Sequence, residues 1–138
     1  VHPKDRSTWY VAASYGGMWK TTNAGTTWTP LSGFGTSSMG CVTIDPTDPL
    51  VVWVGSGENN SQRAVGWGDG VYKSVDGGKN WTNVGLKASE HVGNILVDPR
   101  DGDVVFVPAT RQTWNDKARA ELGPLMRVLD PKLLEGAR

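Results

Sequence analysis

The sequence predicts an all-β chain, a partial β-propeller of about two to two and a half four-stranded blades followed by a short helical C-terminal tail. Three observations carry this. A Val/Ile-x-Pro-x-Asp segment occurs three times, at residues 1–5, 44–48 and 97–101, and each copy leads into the same kind of strand. A Gly-x-aromatic-Lys-Ser/Thr segment occurs twice, at 17–21 and 70–74, each running into a glycine turn and a tryptophan. The copies recur about every 40 to 50 residues, the spacing of a four-stranded blade rather than of a helical repeat. A β-sandwich is the alternative all-β reading.

Taken in order, the strands that follow the proline turns are 8–12, 52–55 and 105–108, rich in the β-branched and aromatic residues that suit a pleated, half-buried surface. The central unit reads as four strands, 39–44, 50–56, 70–75 and 80–84, which make one complete blade. The propeller segment therefore spans 1–110, divided as 1–37, 38–86 and 87–110: the latter part of one blade, a whole blade, and the first two strands of a third. Propellers close with about four to eight blades, so the remaining blades of a longer parent are the expected partners, and an unclosed arc leaves sheet edges exposed.

Residues 111–138 depart from the pattern. A further aromatic-Lys strand and glycine turn are due after Ala109, and neither is present. Instead, 115–122 reads as a short helix with Asn115 as N-cap, stopped by Gly123-Pro124, and followed by an apolar stripe broken at Pro131. This tail either caps the open edge at 105–108 or arises from a truncated or frame-shifted reading of a longer gene.

The sharpest local motif is Ser74-Val75-Asp76-Gly77-Gly78-Lys79-Asn80-Trp81, with a relaxed copy at Thr21-Thr22-Asn23-Ala24-Gly25-Thr26-Thr27-Trp28. A short carboxylate in a hairpin turn accepts bonds from nearby backbone N–H groups, Gly78 supplies the positive φ of a tight turn, and Trp81 covers it. Asn23 does the same through its amide oxygen, without the assistance of charge. Ser74, Asp76, Gly78 and Trp81, like Thr21, Asn23, Gly25 and Trp28, are thus structural, and Asp76 lacks the companions of a catalytic acid or metal ligand.

These motifs resemble the Asp-box, or bacterial neuraminidase repeat, propeller superfamily, which includes sialidases, xyloglucan-cleaving glycosidases, a photosystem II assembly factor and sortilin-type receptor propellers. Through Val-Asp-Pro, Val-Trp-Val-Gly-Ser-Gly-Glu-Asn-Asn and 74–81, the chain is most similar to bacterial sortilin-type repeat proteins. The resemblance covers residues 1 to about 110 and implies an extracytoplasmic or secreted location. It specifies architecture better than activity, since one fold hosts many functions.

Chain tracing through a blade sorts the loops onto two faces. The proline turns and both Asp-boxes share the bottom; the loops between second and third strands, and the links between blades, share the top. On top, 55–69 fills the place held in the first blade by only 12–16. This long loop, with the link 87–91, offers Glu58, Asn59, Asn60, Arg63, Trp67, Asp69 and His91 as ligand-binding candidates, with Glu58, Asp69 and Glu90 as the carboxylates available for catalysis. Trp67 suits stacking on a sugar ring or a peptide side chain, and Arg63 suits a carboxylate.

Three functions fit: a propeller that binds a protein, peptide or glycan without turnover; a glycoside hydrolase, which needs two carboxyl groups about 5–9.5 Å apart; and an assembly factor with no small ligand. Sialidase chemistry is disfavoured because Arg63 alone lies on a top loop, Arg6 and Arg100 falling in bottom turns. The zero net charge, without a basic face, disfavours nucleic acid and anionic membrane. No apolar run reaches the roughly 20 residues of a membrane helix. No cofactor or metal is expected, and the single cysteine, Cys41, reads as a buried thiol.

Overall fold

Alternating apolar and polar residues, punctuated by glycine and proline turns, fold into a succession of short antiparallel sheets, and the computed structural model describes them over residues 1–58 and 66–110. Asn59, Asn60, Arg63 and the tail 111–138 with its expected helix lie outside the described residues. The first sheet comprises β1 (Trp9–Ala13), β2 (Gly17–Thr21) and β3 (Thr29–Leu31), in that order. The second is the complete four-stranded unit β4 (Met39–Ile44), β5 (Val52–Ser56), β6 (Val71–Ser74) and β7 (Thr82–Gly85), also in chain order.

The third unit differs from the two uninterrupted strands expected. Its first strand is divided into β8 (His91–Val92) and β9 (Leu96–Asp98), its second into β10 (Asp101–Phe106) and β11 (Ala109–Thr110). β9 pairs with β10 and β8 with β11, so one hairpin is interrupted midway. Pro108, which has no N–H for the ladder, stands in the gap. In the complete blade the corresponding ladder is irregular too, with a bulge between Met39 and Cys41. A side chain on Gly40 would collide with the carbonyls of Gly57 and Val92, so glycine here lets the neighbouring blade's β8 come close.

The side-chain period of two sends successive residues to opposite faces, and in the middle sheet both faces are covered. Val52, Val54 and Tyr72 join Tyr10, Met18 and Met39 in one core, between the first and second sheets. Trp53 and Val71 join Leu86, Val92, Ile95, Val105 and Val107 in the other, between the second and third. Every residue of β5 is accordingly buried. Stacking of sheet on sheet along the chain is the blade-to-blade packing of a propeller.

The bottom turns are built from one device used repeatedly. Asp45 Oδ1 accepts the N–H groups of Thr47 (2.7 Å) and Asp48 (3.3 Å), and Asp98 Oδ1 accepts that of Arg100 (2.8 Å). In the first copy the residue is His2, and its Nδ1 takes over the acceptor's place toward Lys4 (3.1 Å) and Asp5 (3.0 Å). The second acid of each motif repeats the pattern: Asp5, Asp48 and Asp101 accept from Ser7, Leu50 and Asp103.

The hairpin turns at 74–81 and 21–28 follow a single plan as well. Ser74 Oγ accepts from Gly78 N (2.9 Å) and donates to Asp76 Oδ1 (2.8 Å); that oxygen also accepts from Lys79 N (3.0 Å) and Asn80 N (2.9 Å). In the other copy Thr21 Oγ1 accepts from Gly25 N (3.0 Å), and Asn23 Oδ1 from Thr27 N (2.9 Å). Gly77 and Gly78 take positive φ of 69° and 87°, and Ala24 and Gly25 take 53° and 85°. Each turn is stitched to its own blade's proline turn, Gly77 N to Leu50 O and Ala24 N to Ser7 O, both at 2.9 Å.

Two consequences are testable. Met18 is 1% exposed and Val11 41%, so Met18→Ala should lower unfolding free energy by about 2–5 kcal/mol while Val11→Ala shifts it by less than about 0.5 kcal/mol, read by urea denaturation. Hydrogen bonds from the backbone and then the side chain of Asn80, with that from Ser74, hold the Asp76 carboxyl at about 2, below its ordinary 3.8. A depressed carboxyl favours the folded state above its unfolded value and loses that advantage as pH falls toward the folded one. The difference in melting temperature between the parent and Asp76→Asn should therefore stay level above pH 5 and shrink between about pH 4 and 2.

Candidate functional site

Three segments meet at the end of the sheets opposite the Asp76 turn: the link 34–38 before β4, the long loop between β5 and β6, and the link 86–90 before β8. Backbone bonds join them, from Gly57 N to Ser38 O and from Gly68 N to Glu90 O, each at 2.8 Å. The neck of the long loop is closed by Gly66 O, which accepts from Glu58 N and from Ser38 Oγ, both at 3.0 Å. A side chain on Gly66 would run into Ser38, so the closure requires glycine.

Among the carboxylates expected on this face, Asp69 is bonded to Tyr72 and lies beside Ser56, whose hydroxyl is nearer the Gly70 carbonyl (2.7 Å). Its Oδ2 accepts from Tyr72 Oη (2.6 Å) and its Oδ1 lies 3.1 Å from Ser56 Oγ, which accepts in turn from Asp69 N (2.9 Å). Tyr72 Oη also accepts from Gly35 N (2.9 Å), tying the link before β4 to the same network. Burial, and then the bond to Asp69, push the Tyr72 hydroxyl above its ordinary range and keep it a neutral donor. Asp69 thus anchors the loop.

Glu58 stands differently. It is 4% exposed, yet Oε1 has no hydrogen-bond partner. A buried acceptor left unsatisfied costs about 1–3 kcal/mol, and such groups in native proteins call for an explanation. His91 is buried on β8, with Nε2 3.8 Å from Glu90 Oε2 and Nδ1 without a partner; Ser89 Oγ is likewise buried and unbonded. Trp67 is 66% exposed, its backbone held by the Thr36 hydroxyl (3.1 Å). The structure therefore brings Glu58, Trp67, Asp69, Glu90 and His91 to one end.

Sequence reasoning missed Ser38, Ser56 and Tyr72, whose roles arise from partners distant in the chain. Tyr72 reads as an ordinary strand aromatic, and only its pairing with Asp69 and Gly35 distinguishes it. Among the described residues no cluster of three or more His, Cys, Asp or Glu is placed to hold a metal ion. The grouping suits hydrogen bonding and ring stacking with a polar ligand.

No family model and no curated protein matches the chain. Solved structures do. An ancestral GH74 enzyme superposes with a TM-score of 0.58 at 19% identity, over 75% of this chain and 12% of the enzyme. The Niastella koreensis GH74 enzyme gives 0.56 at 23% identity, over 70% of this chain and 15% of the enzyme. GH74 enzymes are β-propeller glycoside hydrolases. The fold is a partial β-propeller. At these identities the likeness extends to the fold alone, and the chain spans less than a sixth of either enzyme.

Cys41 lies on the flank of this region, its Sγ 3.5 Å from the Val92 carbonyl. Burial pushes the thiol up to about 11. Since the thiolate is the reactive species, Cys41 should resist a disulfide reagent in the native protein at pH 8 and react fully in denaturant, followed by absorbance of the released thiol.

Proposed function

We propose that this chain is part of an Asp-box propeller akin to the bacterial sortilin-type repeat proteins, and that its top face binds a peptide or glycan without turning it over. Residues 1–110 form the arc and 111–138 a segment outside the repeat, with the other blades of a longer parent as partners. The observation that carries the reading is Glu58, buried with one oxygen unbonded beside the neck of the long loop, on the face that displays the exposed Trp67. A ligand N–H or O–H satisfies that oxygen while the indole stacks on an apolar or sugar face, the mixture of few polar anchors and one aromatic plane found in ligand sites. Bonding to the Asp76 turn lies at the opposite end and serves the hairpin.

Glycoside hydrolysis by the same face is the competing reading, favoured by the glycosidase fold of the solved neighbours. It needs a second carboxyl group opposite Glu58; Asp69, bonded to Tyr72 Oη, is poorly suited to that part, which leaves Glu90, beside His91, as the other carboxylate of this face. Titration with a panel of neutral oligosaccharides, including xyloglucan fragments, and of short peptides separates the two, with calorimetry for binding and a reducing-end assay for turnover. Saturable binding lost in Glu58→Gln and in Trp67→Ala, with no new reducing ends, is the expected result. Turnover abolished by Glu58→Gln would replace binding with hydrolysis, and affinities unchanged in both variants would dismiss this face as the site.

A further inference from the structure

Lys20 stands opposite Tyr10 in one neighbouring strand and opposite Thr29 in the other, so the three side chains leave the same face of the first sheet. It is the face that Tyr10 packs against the second blade. Toward the bottom turns that face becomes polar. Lys20, Thr22, Thr27 and Thr29 line one wall of an open groove of about 230 Å³, and Gly77 and Lys79, in the hairpin turn of the next blade, line the other.

The donors of this groove are unspent or only partly spent. Lys20 Nζ is fixed by one bond, to the Gly77 carbonyl at 2.8 Å, and by the Tyr10 ring, whose centroid is 5.2 Å away, so its remaining N–H groups stay available. Thr27 Oγ1 accepts from Asn23 Nδ2 at 2.8 Å and keeps its own proton to donate. The Lys79 ammonium and the hydroxyls of Thr22 and Thr29 are exposed and bond no group among the described residues. Acids do not compete for these donors. Where the second turn carries Asp76 the first carries the amide Asn23, and Asp76 spends its oxygens on Ser74, on the N–H groups of Lys79 and Asn80, and on the Asn80 amide.

Two ammonium groups and three hydroxyls on facing walls, with no carboxylate in the lining, call for an anion rich in acceptor oxygens. A carboxylate offers two oxygens in one plane, whereas a tetrahedral oxyanion offers three or more that point in different directions and so reach donors on both walls. At about 230 Å³ the groove is smaller than the roughly 300–1,000 Å³ of pockets that enclose whole drug-sized ligands, which suits such a group and the atoms next to it. We propose that this groove, between the hairpin turns of successive blades, binds a sulfate or phosphate group, free or as a monoester, through Lys20, Lys79 and the threonine hydroxyls. The site lies at the opposite end of the sheets from Glu58 and Trp67 and is independent of what that face binds.

The probes are sodium sulfate, sodium phosphate and the methyl monoester of each, titrated into the ¹⁵N-labelled chain. Sodium chloride holds the ionic strength constant, so that screening of the exposed lysines does not change. Saturable amide shifts centred on residues 20–29 and 77–79 are expected. Lys79→Met, which removes a side chain bonded to nothing else, should weaken binding roughly tenfold. Thr27→Val combined with Thr29→Val should weaken it without altering charge, and Lys87→Met, at the other end of the sheets, should leave it unchanged. The melting temperature of each variant separates loss of the groove from loss of the fold. Tighter binding of the monoesters identifies an ester-bearing ligand, and binding of the free ions at least as tight identifies the ions themselves; either supports the proposal. Shifts that chloride alone reproduces, or affinity undiminished in folded Lys79→Met or in the folded threonine double variant, overturn it.

Discussion

The middle sheet must bury both of its faces, and the rest of the structure follows from that constraint. Val52 and Val54 point one way, Trp53 the other, and no arrangement of a single hairpin removes all three from water. A second sheet on each side does. The neighbours are of the same kind, because Tyr10 and Met18 stand where the middle sheet has Trp53 and Val71, and Val105 and Val107 where it has Val52 and Val54. Face-to-face stacking of twisted sheets then propagates into an arc.

Polarity along the strands comes from the turns. At the bottom, carboxylates, an amide and one imidazole satisfy backbone N–H groups within a few residues. The lowered carboxyls of Asp5 and Asp98, held near 2 by bonds from Ser7 and Thr8 and from Arg100 respectively, belong to the same scheme. At the top, bonding runs between segments distant in sequence, and it leaves Glu58, Ser89 and His91 each with a buried atom unbonded. The acids of one end bond chiefly within their own turns, while the other end is assembled by contacts between segments distant in the chain.

The fold was legible because its signals are local. Ser74, Asp76, Gly78 and Trp81 bond among themselves or to immediate neighbours, so their spacing suffices to reveal the turn, and the relaxed copy at Thr21, Asn23 and Gly25 forms the same bonds. The division of the third hairpin at Pro108 was not anticipated, although proline's missing N–H is a signal that was open to view. The site was less legible. Glu58 and Asp69 are the same kind of residue on the same loop, and only the approach of Tyr72 and Ser56 makes one an anchor while the other stays unbonded.

By itself, then, the sequence determined the repeat, the class of fold, the chemistry of the bottom turns and which end would carry the variable loops, since strand period and turn composition act over a few residues. Tertiary structure decided which polar groups are satisfied. Satisfaction depends on partners 13 to 37 residues away, such as Ser56 for Asp69 and Tyr72 for Gly35, and on whether a neighbouring blade presents a carbonyl to Tyr10, as Gly77 does, or leaves Trp53 without one. Hydrogen bonding is short in range in space and unlimited in range along the chain, and for that reason the turns could be read from residue order while the site could not.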